Sequence, residues 1–275
     1  MEIQVHGCDQ GAAGVIRKSI NRYPAGDGPQ NTVNWYQMKI AILGDIHGNI
    51  DALKVAYDAA VSADVEKIYH LGDLGGYAPF VNEVVDFLIE KNIEGVQGNY
   101  DDAVANDREH CGCKFEDPLQ AEMTALSFEW TKAHASPKSK AYMKKLPFKI
   151  AFAVLEKKVK LFHATPLRNN IYWHGARHDK FFLEMAERAD ADVLIYGHTH
   201  IPYRKDIDNK VCINAGSVGK PKDGDARACV AIVDISPDAV QSEFVRVPYD
   251  VEKVAAAIIQ SGLPPYFAEK LRSGR

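Results

Sequence analysis

The amino-acid sequence predicts a mixed α/β protein built in layers, and three observations support this fold class. Short apolar runs alternate with helical stripes over residues 38–96, which is the rhythm of a βαβαβ unit. From residue 148 onward the apolar runs come in pairs, as antiparallel strands do. Five of the apolar runs end in Asp, Asn or His, four of them just after Gly.

The first half of the chain shows the strand–helix rhythm most clearly. Its predicted elements are a strand over 39–43, a helix over 50–63, a strand over 67–71, a helix over 80–91 and a strand over 93–96. Such units form parallel sheets with right-handed crossovers. An N-cap residue followed by proline then starts each of two further helices, over 117–134 and 138–145.

The second half predicts mainly antiparallel strands. The expected elements are a hairpin over 148–155 and 159–162, a helix over 181–188, a strand over 192–196, a hairpin over 203–207 and 211–213, a strand pair over 229–235 and 242–247, and closing helices within 250–272. The apolar face of the helix over 251–259 is expected to pack on the sheet or on a second subunit. A homo-oligomer is therefore one expectation for this chain.

Residues 1–37 differ from the rest of the chain. They are rich in Gly and Pro and show no sustained period of 2 or 3.6 residues, so we expect a loosely ordered arm. Met38 is followed at once by a strand-like run, which makes it a candidate start of the working domain over 38–275 and of native translation.

Composition narrows the possible classes of protein. The 275 residues carry 33 Lys and Arg against 37 Asp and Glu, which gives a net charge of −4. This charge does not favour binding to the phosphate backbone of nucleic acid. No stretch approaches the roughly 20 apolar residues of a membrane span, and residues 1–20 lack the apolar core of a secretory signal. Five cysteines do not suggest a disulfide framework, so we expect a cytoplasmic protein with reduced thiols.

The side chains at the strand ends predict a metal site. In open α/β sheets, ligands bind beyond the carboxyl ends of the strands, so these side chains should converge on one crevice. Within two pairs the residues are two positions apart, which places both side chains on one face of an extended segment. The expected ligands are Asp45, His47, Asp73, Asn99, His163, His198 and His200.

The donor types indicate which ions could bind. Four imidazoles, two carboxylates and one amide are too many ligands for one tetrahedral ion and suit two octahedral ions that share a carboxylate. Mn, Fe, Co, Ni and Zn are all compatible with this donor set, whereas Mg alone would be unusual with so much imidazole. We therefore expect two divalent metal ions as cofactors.

The motifs around these ligands, in this order, resemble the calcineurin-like metallophosphoesterase superfamily, including its bacterial phosphodiesterase-type branch. The matching segments are Asp45-Ile46-His47, Gly72-Asp73-Leu74-Gly75-Gly76-Tyr77, Gly98-Asn99-Tyr100-Asp101, His163, Gly197-His198-Thr199-His200 and the loop 214–221. The resemblance covers roughly residues 38–247. It implies a four-layer αββα sandwich, in which two mixed β-sheets lie face to face with helices outside.

The resemblance also implies roles for the site residues. One metal ion would be held by Asp45, His47 and His200, and the other by Asn99, His163 and His198, with Asp73 bridging them. Two such ions, roughly 3.5–4 Å apart, would activate a bridging water, and the resulting hydroxide would attack phosphorus in line. The residues that the resemblance makes catalytic are Asp73, Asn99, His163, Tyr100 and Asp101.

Tyr100 departs from the pattern of many members, which have histidine there as an acid or as electrostatic support for the leaving group. Tyrosine has a reference pKa near 10, far from the operating pH that suits a general acid. We therefore expect Tyr100 to orient or pack, and substrates with good leaving groups to be favoured.

Other polar residues are weaker candidates. Arg168, Asn214, Lys220 and Arg227 are predicted substrate contacts, each with a solvated or structural role as the alternative. The cluster over 110–113 has soft ligands but no second cluster, so a structural or redox-sensitive loop is expected there rather than a third metal site.

The expected function is hydrolysis of phosphodiester or phosphomonoester bonds in a small phosphorylated substrate, with nucleotides as one candidate class. A diadenosine polyphosphate hydrolase or a protein phosphatase would use the same site, because substrate choice lies in the loops. A non-catalytic scaffold, such as the retromer subunit with this fold, is the alternative of another class. Keeping seven polar groups in one crevice argues against it, since unpaired they would cost stability.

Deleting residues 1–37 is expected to leave folding and activity nearly intact, because the periodic pattern begins at Met38. Thermal unfolding and a phosphoesterase assay on the truncated chain measure this. A truncated chain that does not fold would reject the assignment of these residues to an arm.

Overall fold

The computed structural model describes residues 37–113 and 117–275. The predicted arm over 1–37 lies outside the described residues except for Gln37, which is exposed. The Gln37 side-chain amide donates hydrogen bonds to the carboxylate of Asp234 at 3.0 and 3.1 Å.

The first sheet has five strands and is mixed. In chain order they are β1 (Met38–Leu43), β2 (Lys67–His70), β3 (Glu94–Gly95), β9 (Ala228–Ile235) and β10 (Val240–Val247). Their spatial order is β10-β9-β1-β2-β3, with β1, β2 and β3 parallel and β9 antiparallel to its two neighbours. The predicted βαβαβ unit therefore supplies three of the five strands of this sheet.

The second sheet also has five strands. They are β4 (Lys149–Val154), β5 (Lys157–Phe162), β6 (Val193–Tyr196), β7 (Tyr203–Ile207) and β8 (Lys210–Asn214). Their spatial order is β4-β5-β6-β8-β7, with β5, β6 and β8 parallel and an antiparallel strand at each edge. Both predicted hairpins are present, as β4–β5 and β7–β8.

Eight helices are found in the described ranges. They are α1 (Ile50–Ser62), α2 (Val81–Glu90), α3 (Asn99–Ala105), α4 (Pro118–His134), α5 (Pro137–Lys145), α6 (Asp179–Ala189), α7 (Val251–Gln260) and α8 (Pro265–Ser273). The predicted caps operate: the Asp117 carboxylate accepts from Leu119 N, and the Ser136 hydroxyl accepts from Ser139 N.

Alternation along the strands assigns the layers. Ile40 and Ile42 of β1 lie in a core shared with the second sheet, whereas Leu43 lies in a core shared with helices. In β6, Ile195 belongs to the core between the sheets and Leu194 to a third core, which α6 covers. The predicted four-layer αββα sandwich is confirmed.

The segment after β3 differs from the sequence-based expectation. The strand predicted over 93–96 is reduced to Glu94–Gly95, and α3, which was not predicted, starts at Asn99. The start of α3 is hard to recognise because its N-cap is Gly98, which has no capping side chain. Asp101 and Asp102 in the first turn compensate by interacting with the helix dipole.

The closing helices pack within the chain. Val254 and Ile258 of α7 and Phe267 and Leu271 of α8 all lie in the helix-side core of the first sheet. The apolar face of α7 therefore packs against the first sheet within this chain. No helix in 37–113 and 117–275 combines the length and the apolar character that crossing a bilayer requires.

His70 at the end of β2 is a core residue. It is fully buried, its Nδ1 accepts the Gly72 N–H at 3.2 Å, and it sits opposite Gly95 in the parallel register. A Cβ added to Gly95 would lie 2.3 Å from the imidazole, so glycine makes room for the ring. Burial lowers the pKa of His70 to about 3.

His70 should make the fold sensitive to acid. Because its folded pKa lies below the unfolded value of 6.5, its contribution is complete above pH 6.5 and is lost as the pH falls towards 3. Between pH 7.5 and 5 the wild type should lose about 2 kcal/mol more of its free energy of unfolding than His70→Asn does. Urea unfolding at both pH values measures the difference.

The exposed His134 on α4 is the matched control, and His134→Asn should keep the wild-type acid dependence. If His70→Asn shows the same loss between pH 7.5 and 5 as the wild type, His70 is not the acid-sensitive group.

Candidate metal centre

All seven predicted ligands lie at the carboxyl ends of strands in the two sheets. Asp45 and His47 follow β1, and Asp73 follows β2. Asn99 follows β3 as the first residue of α3, His163 follows β5, and His198 and His200 follow β6. Because the sheets lie face to face, the loops from both reach the same crevice, as the sequence predicts.

Six of these residues form two compact groups. Within each group the ligand atoms lie within 4.8 Å of one another, and every member is buried. The first group is Asp45, His47 and His200, and the second is Asp73, His163 and His198. The groups adjoin, since His47 Nε2 is 3.7 Å and His163 Nε2 is 3.5 Å from Asp73 Oδ2.

The first group contains two imidazole nitrogens that face each other without a proton to share. His47 Nδ1 donates to Gly75 O at 2.8 Å, and His200 Nδ1 donates to Lys220 O at 2.6 Å. A carbonyl can only accept, so both neutral rings carry their proton on Nδ1 and a lone pair on Nε2. The two Nε2 atoms are 3.1 Å apart, an arrangement that a cation would stabilise and that neutral imidazoles alone would not.

Beside the second group, two acceptors also face each other: His163 Nε2 and Asn99 Oδ1. His163 Nδ1 donates to Leu71 O at 2.8 Å, which leaves a lone pair on Nε2. That Nε2 faces Asn99 Oδ1 at 3.0 Å and His198 Nδ1 at 3.1 Å. The Asn99 amide is oriented by Nδ2, which donates to Cys111 O at 2.9 Å, so its oxygen points to His163. Acceptor atoms therefore converge at both groups, and the donor set fits two divalent cations.

Burial shifts the protonation of both groups in the direction that suits metal binding by the histidines. It lowers the pKa of His47, His198 and His200 well below the usual value, so these rings are neutral ligands. Burial also raises the pKa of Asp45 to about 7. Burial and the neighbouring Asp101 raise the pKa of Asp73. A bound cation would offset these costs by neutralising the carboxylates.

Five of the ligands hold a backbone conformation that only glycine adopts freely. Their φ angles lie between 45° and 66°, in the left-handed region, and each costs of the order of 1 kcal/mol. These residues are Asp45, His47, Asp73, His198 and His200. Because such strain persists only where the surroundings impose it, the loops are built to aim these side chains inward.

The glycines before the ligands make space for ligand carboxylates. A Cβ on Gly197 would lie 2.4 Å from Asp45 Oδ2, and a Cβ on Gly98 would lie 2.1 Å from Asp73 Oδ1. The Asp45 carboxylate accepts from His198 N at 2.9 Å, and the Asp73 carboxylate accepts from Tyr100 N at 2.9 Å. Close approach between loops therefore explains these two glycines.

Asp101 lies beneath the centre and not in it. Its carboxylate accepts the backbone N–H groups of Asp73, Leu74 and Gly98 at 2.8–2.9 Å. Three N–H donors on one carboxylate fix the loop that carries Asp73 to the start of α3.

Tyr100 is fully buried and packs on rings. Its ring lies 5.7 Å from that of His47, edge-on, and 5.8 Å from that of Phe128. Its hydroxyl has no hydrogen-bond partner among the described residues. Burial raises the pKa of Tyr100 well above its usual value.

Two of the predicted substrate residues are buried in structural positions. The Asn214 side chain donates to Gly197 O at 2.8 Å and to Thr199 Oγ1 at 3.0 Å, which holds the loop that carries His198. The Lys220 carbonyl accepts a hydrogen bond from His200 Nδ1, and the Lys220 Nζ lies 4.9 Å from the Tyr77 ring centroid.

The other two predicted substrate residues are exposed. Arg227 is paired with Asp225 through Nη2 at 2.6 Å, so its guanidinium is already engaged. Arg168 lines a cavity beside Asn99.

Two residues near the centre were not in the predicted site. The Tyr172 ring lies 4.3 Å from that of His198, and Cys113 Sγ lies 3.2 Å from Asn99 Nδ2. Lys222 lies close enough to Asp45 and Asp73 for their charges to act on its pKa, although burial is the larger influence and lowers it. No spacing rule connects Tyr172 or Cys113 to the ligands, whereas Lys222 stands in the same loop as Lys220.

Comparison with known families agrees with this geometry. Residues 38–238 match the model of the calcineurin-like phosphoesterase superfamily domain. The chain belongs to this superfamily. The matched range contains the seven predicted ligands, and also Tyr100, Asp101 and Asn214.

Known relatives cover more than four fifths of the chain. An uncharacterized protein of Methanocaldococcus jannaschii, MJ0912, is 30% identical in an alignment of 253 residues that covers 86% of this chain and 98% of that protein. A metallophosphoesterase structure from Sphaerobacter thermophilus is 26% identical, with a TM-score of 0.69, and covers 87% of this chain and 100% of that one. The hypothetical protein PH1004 of Pyrococcus horikoshii shares the fold, with a TM-score of 0.73 at 19% identity over 86% of this chain and 98% of that one.

Gly197→Ala is expected to weaken metal binding at least about tenfold, because the added Cβ displaces the Asp45 carboxylate. Titration of the metal-free chain with Mn²⁺ measures the affinity. Gly262→Ala is the control: its Cβ has nothing within 4 Å, so it strains only the backbone and should bind Mn²⁺ as the wild type does. Equal affinity for Gly197→Ala would contradict the assigned role of Asp45.

Proposed function

We infer that this phosphoesterase hydrolyses phosphodiester or phosphomonoester bonds in a small phosphorylated substrate, with two divalent metal ions as cofactors. The observation that supports the proposal is that acceptor atoms without a proton face one another in two adjoining buried groups. At His47 and His200, the two Nε2 atoms are 3.1 Å apart. A scaffold would gain nothing from this arrangement, since buried acceptors without a partner cost stability.

The residues divide between the two ions as the superfamily resemblance implies. Asp45, His47 and His200 would hold one ion, and Asn99, His163 and His198 the other, with Asp73 shared. When bound, two such ions lower the pKa of a coordinated water and neutralise the charge on a phosphoryl group. The reaction proposed is in-line attack of hydroxide on phosphorus.

The remaining polar groups position this machinery. Asp101 holds the loop of Asp73 through three backbone N–H groups, so it acts as a positioning residue. Lys222, whose charge reaches Asp45 and Asp73, is the cation best placed to attract an anionic phosphate to the centre.

Tyr100 orients and packs in this proposal. Its buried hydroxyl and raised pKa make it a poor general acid, so the leaving oxygen must be stable enough to depart with little help. Aryl and nucleotide esters are therefore the proposed favoured substrates over alkyl esters.

Hydrolysis of bis(p-nitrophenyl) phosphate and p-nitrophenyl phosphate with added Mn²⁺ tests the proposal. Asp73→Asn should lower the rate at least about 100-fold, because it removes the shared carboxylate charge. Asp208→Asn is the matched control, since Asp208 is exposed and has the same φ of 51° as Asp73. It should retain the wild-type rate.

Two outcomes would favour a non-catalytic scaffold. One is activity that Asp73→Asn leaves unchanged, and the other is no activity with Mn²⁺, Fe²⁺, Zn²⁺, Co²⁺ or Ni²⁺.

A further inference from the structure

A cavity opens directly beside the second ligand group. Its volume is about 410 Å³, within the range of small-molecule sites, and Asn99 forms part of its wall. The other walls come from the loop over 108–112, the loop over 168–170 and Phe148 at the start of the second sheet. The cavity therefore extends the candidate metal centre outward on one side.

The two loops that form the cavity are tied to each other and to the centre. Asn170 Nδ2 donates to Gly112 O at 3.2 Å, and Asn99 Nδ2 donates to Cys111 O. Within the second loop, Thr165 N donates to Arg168 O at 3.1 Å and the Arg168 N–H donates to Thr165 Oγ1 at 3.0 Å. These hydrogen bonds fix the backbone of Arg168 relative to Asn99.

The cavity wall carries cationic and donor groups that would bind an anion. Arg108 is held by Asp102 at 3.0 Å, whereas no ion pair of Arg168 is found among the described residues. His110 Nδ1 accepts the Gly112 N–H at 3.1 Å, so the neutral ring offers Nε2–H as a donor. Planar guanidinium groups suit phosphate oxygens especially well.

The same cavity has a flat apolar surface and one free amide oxygen. Phe148 is 36% exposed, which leaves part of its ring available for stacking. Asn169 Oδ1 is buried and has no partner among the described residues, whereas Gln97, which also lines the cavity, donates from its Nε2 to Met143 O at 2.8 Å. A heteroaromatic ring with hydrogen-bonding edges would satisfy both features.

We propose that this cavity is a specificity site for a nucleotide-type group: a heteroaromatic ring with a second phosphate, joined to the phosphate at the metal centre. Arg168 binds the second phosphate, Phe148 stacks on the ring, and Asn169 pairs with its edge, whereas Arg108 is already paired with Asp102, which also lines the cavity. The proposal rests on the proposed function, because the first phosphate must lie at the centre.

Competitive inhibition tests the second phosphate. Against bis(p-nitrophenyl) phosphate hydrolysis by the Mn²⁺-loaded full chain, adenosine 3′,5′-bisphosphate or ADP should inhibit at least about tenfold more tightly than AMP. In Arg168→Ala this preference should fall to about one. Arg188→Ala, an exposed arginine of α6 that pairs with Glu184, should keep it. Equal inhibition by all three nucleotides, or a preference that Arg168→Ala leaves intact, overturns the proposal.

A second variant tests the ring contact. Phe148→Ala should weaken AMP inhibition at least about fivefold and leave inhibition by inorganic phosphate unchanged, because only AMP carries a base to stack. Equal loss for AMP and phosphate would contradict stacking on Phe148.

Equilibrium binding separates failure of this inference from failure of the proposed function. If no ester is hydrolysed with any metal, the proposed function fails. Calorimetric titration of the Mn²⁺-loaded chain with adenosine 3′,5′-bisphosphate and AMP still measures how tightly the cavity binds each nucleotide. Tighter binding of the bisphosphate that depends on Arg168 supports the site, and equal binding rejects it.

Discussion

Two buried carboxylates, Asp45 and Asp73, share one crevice with four buried imidazoles, and the surrounding loops are arranged to keep them there. Burial raises the pKa of both acids, which means that the fold holds them at a cost. Backbone carbonyls fix the proton of His47, His163 and His200 on Nδ1, so the remaining nitrogens face inward as acceptors. Divalent cations would satisfy these acceptors and neutralise the two carboxylates.

This electrostatic constraint accounts for features that would otherwise be liabilities. Left-handed backbone at five ligands costs free energy in each case, and that strain is tolerated because it points the side chains at one volume. Gly98 and Gly197 lack side chains because ligand carboxylates occupy the space a Cβ would need. Asp101 and Asn214 then lock the loops by hydrogen bonds to backbone and side-chain groups. Stability in this region is subordinate to the geometry of the site.

The sequence was sufficient for the layers and for the convergence of the candidate ligands, because both depend on where the strands lie and end. Strands that end in Asp, Asn or His meet at one sheet edge whatever the loops do. It was insufficient for α3, whose N-cap is a glycine, and for Tyr172, which reaches His198 through a loop without any periodic pattern. The sequence was also insufficient for two predicted substrate residues. The Asn214 side chain holds a loop by hydrogen bonds, and Arg227 pairs with Asp225, two positions away.

Anomalous diffraction from crystals of the Mn²⁺-loaded chain, collected at the manganese edge, shows whether two cations occupy the adjoining groups. Two peaks are expected roughly 3.5–4 Å apart, one against Asp45, His47 and His200 and one against Asn99, His163 and His198, with Asp73 between them. A single peak outside these groups, or no peak in fully loaded crystals, would contradict a two-metal centre.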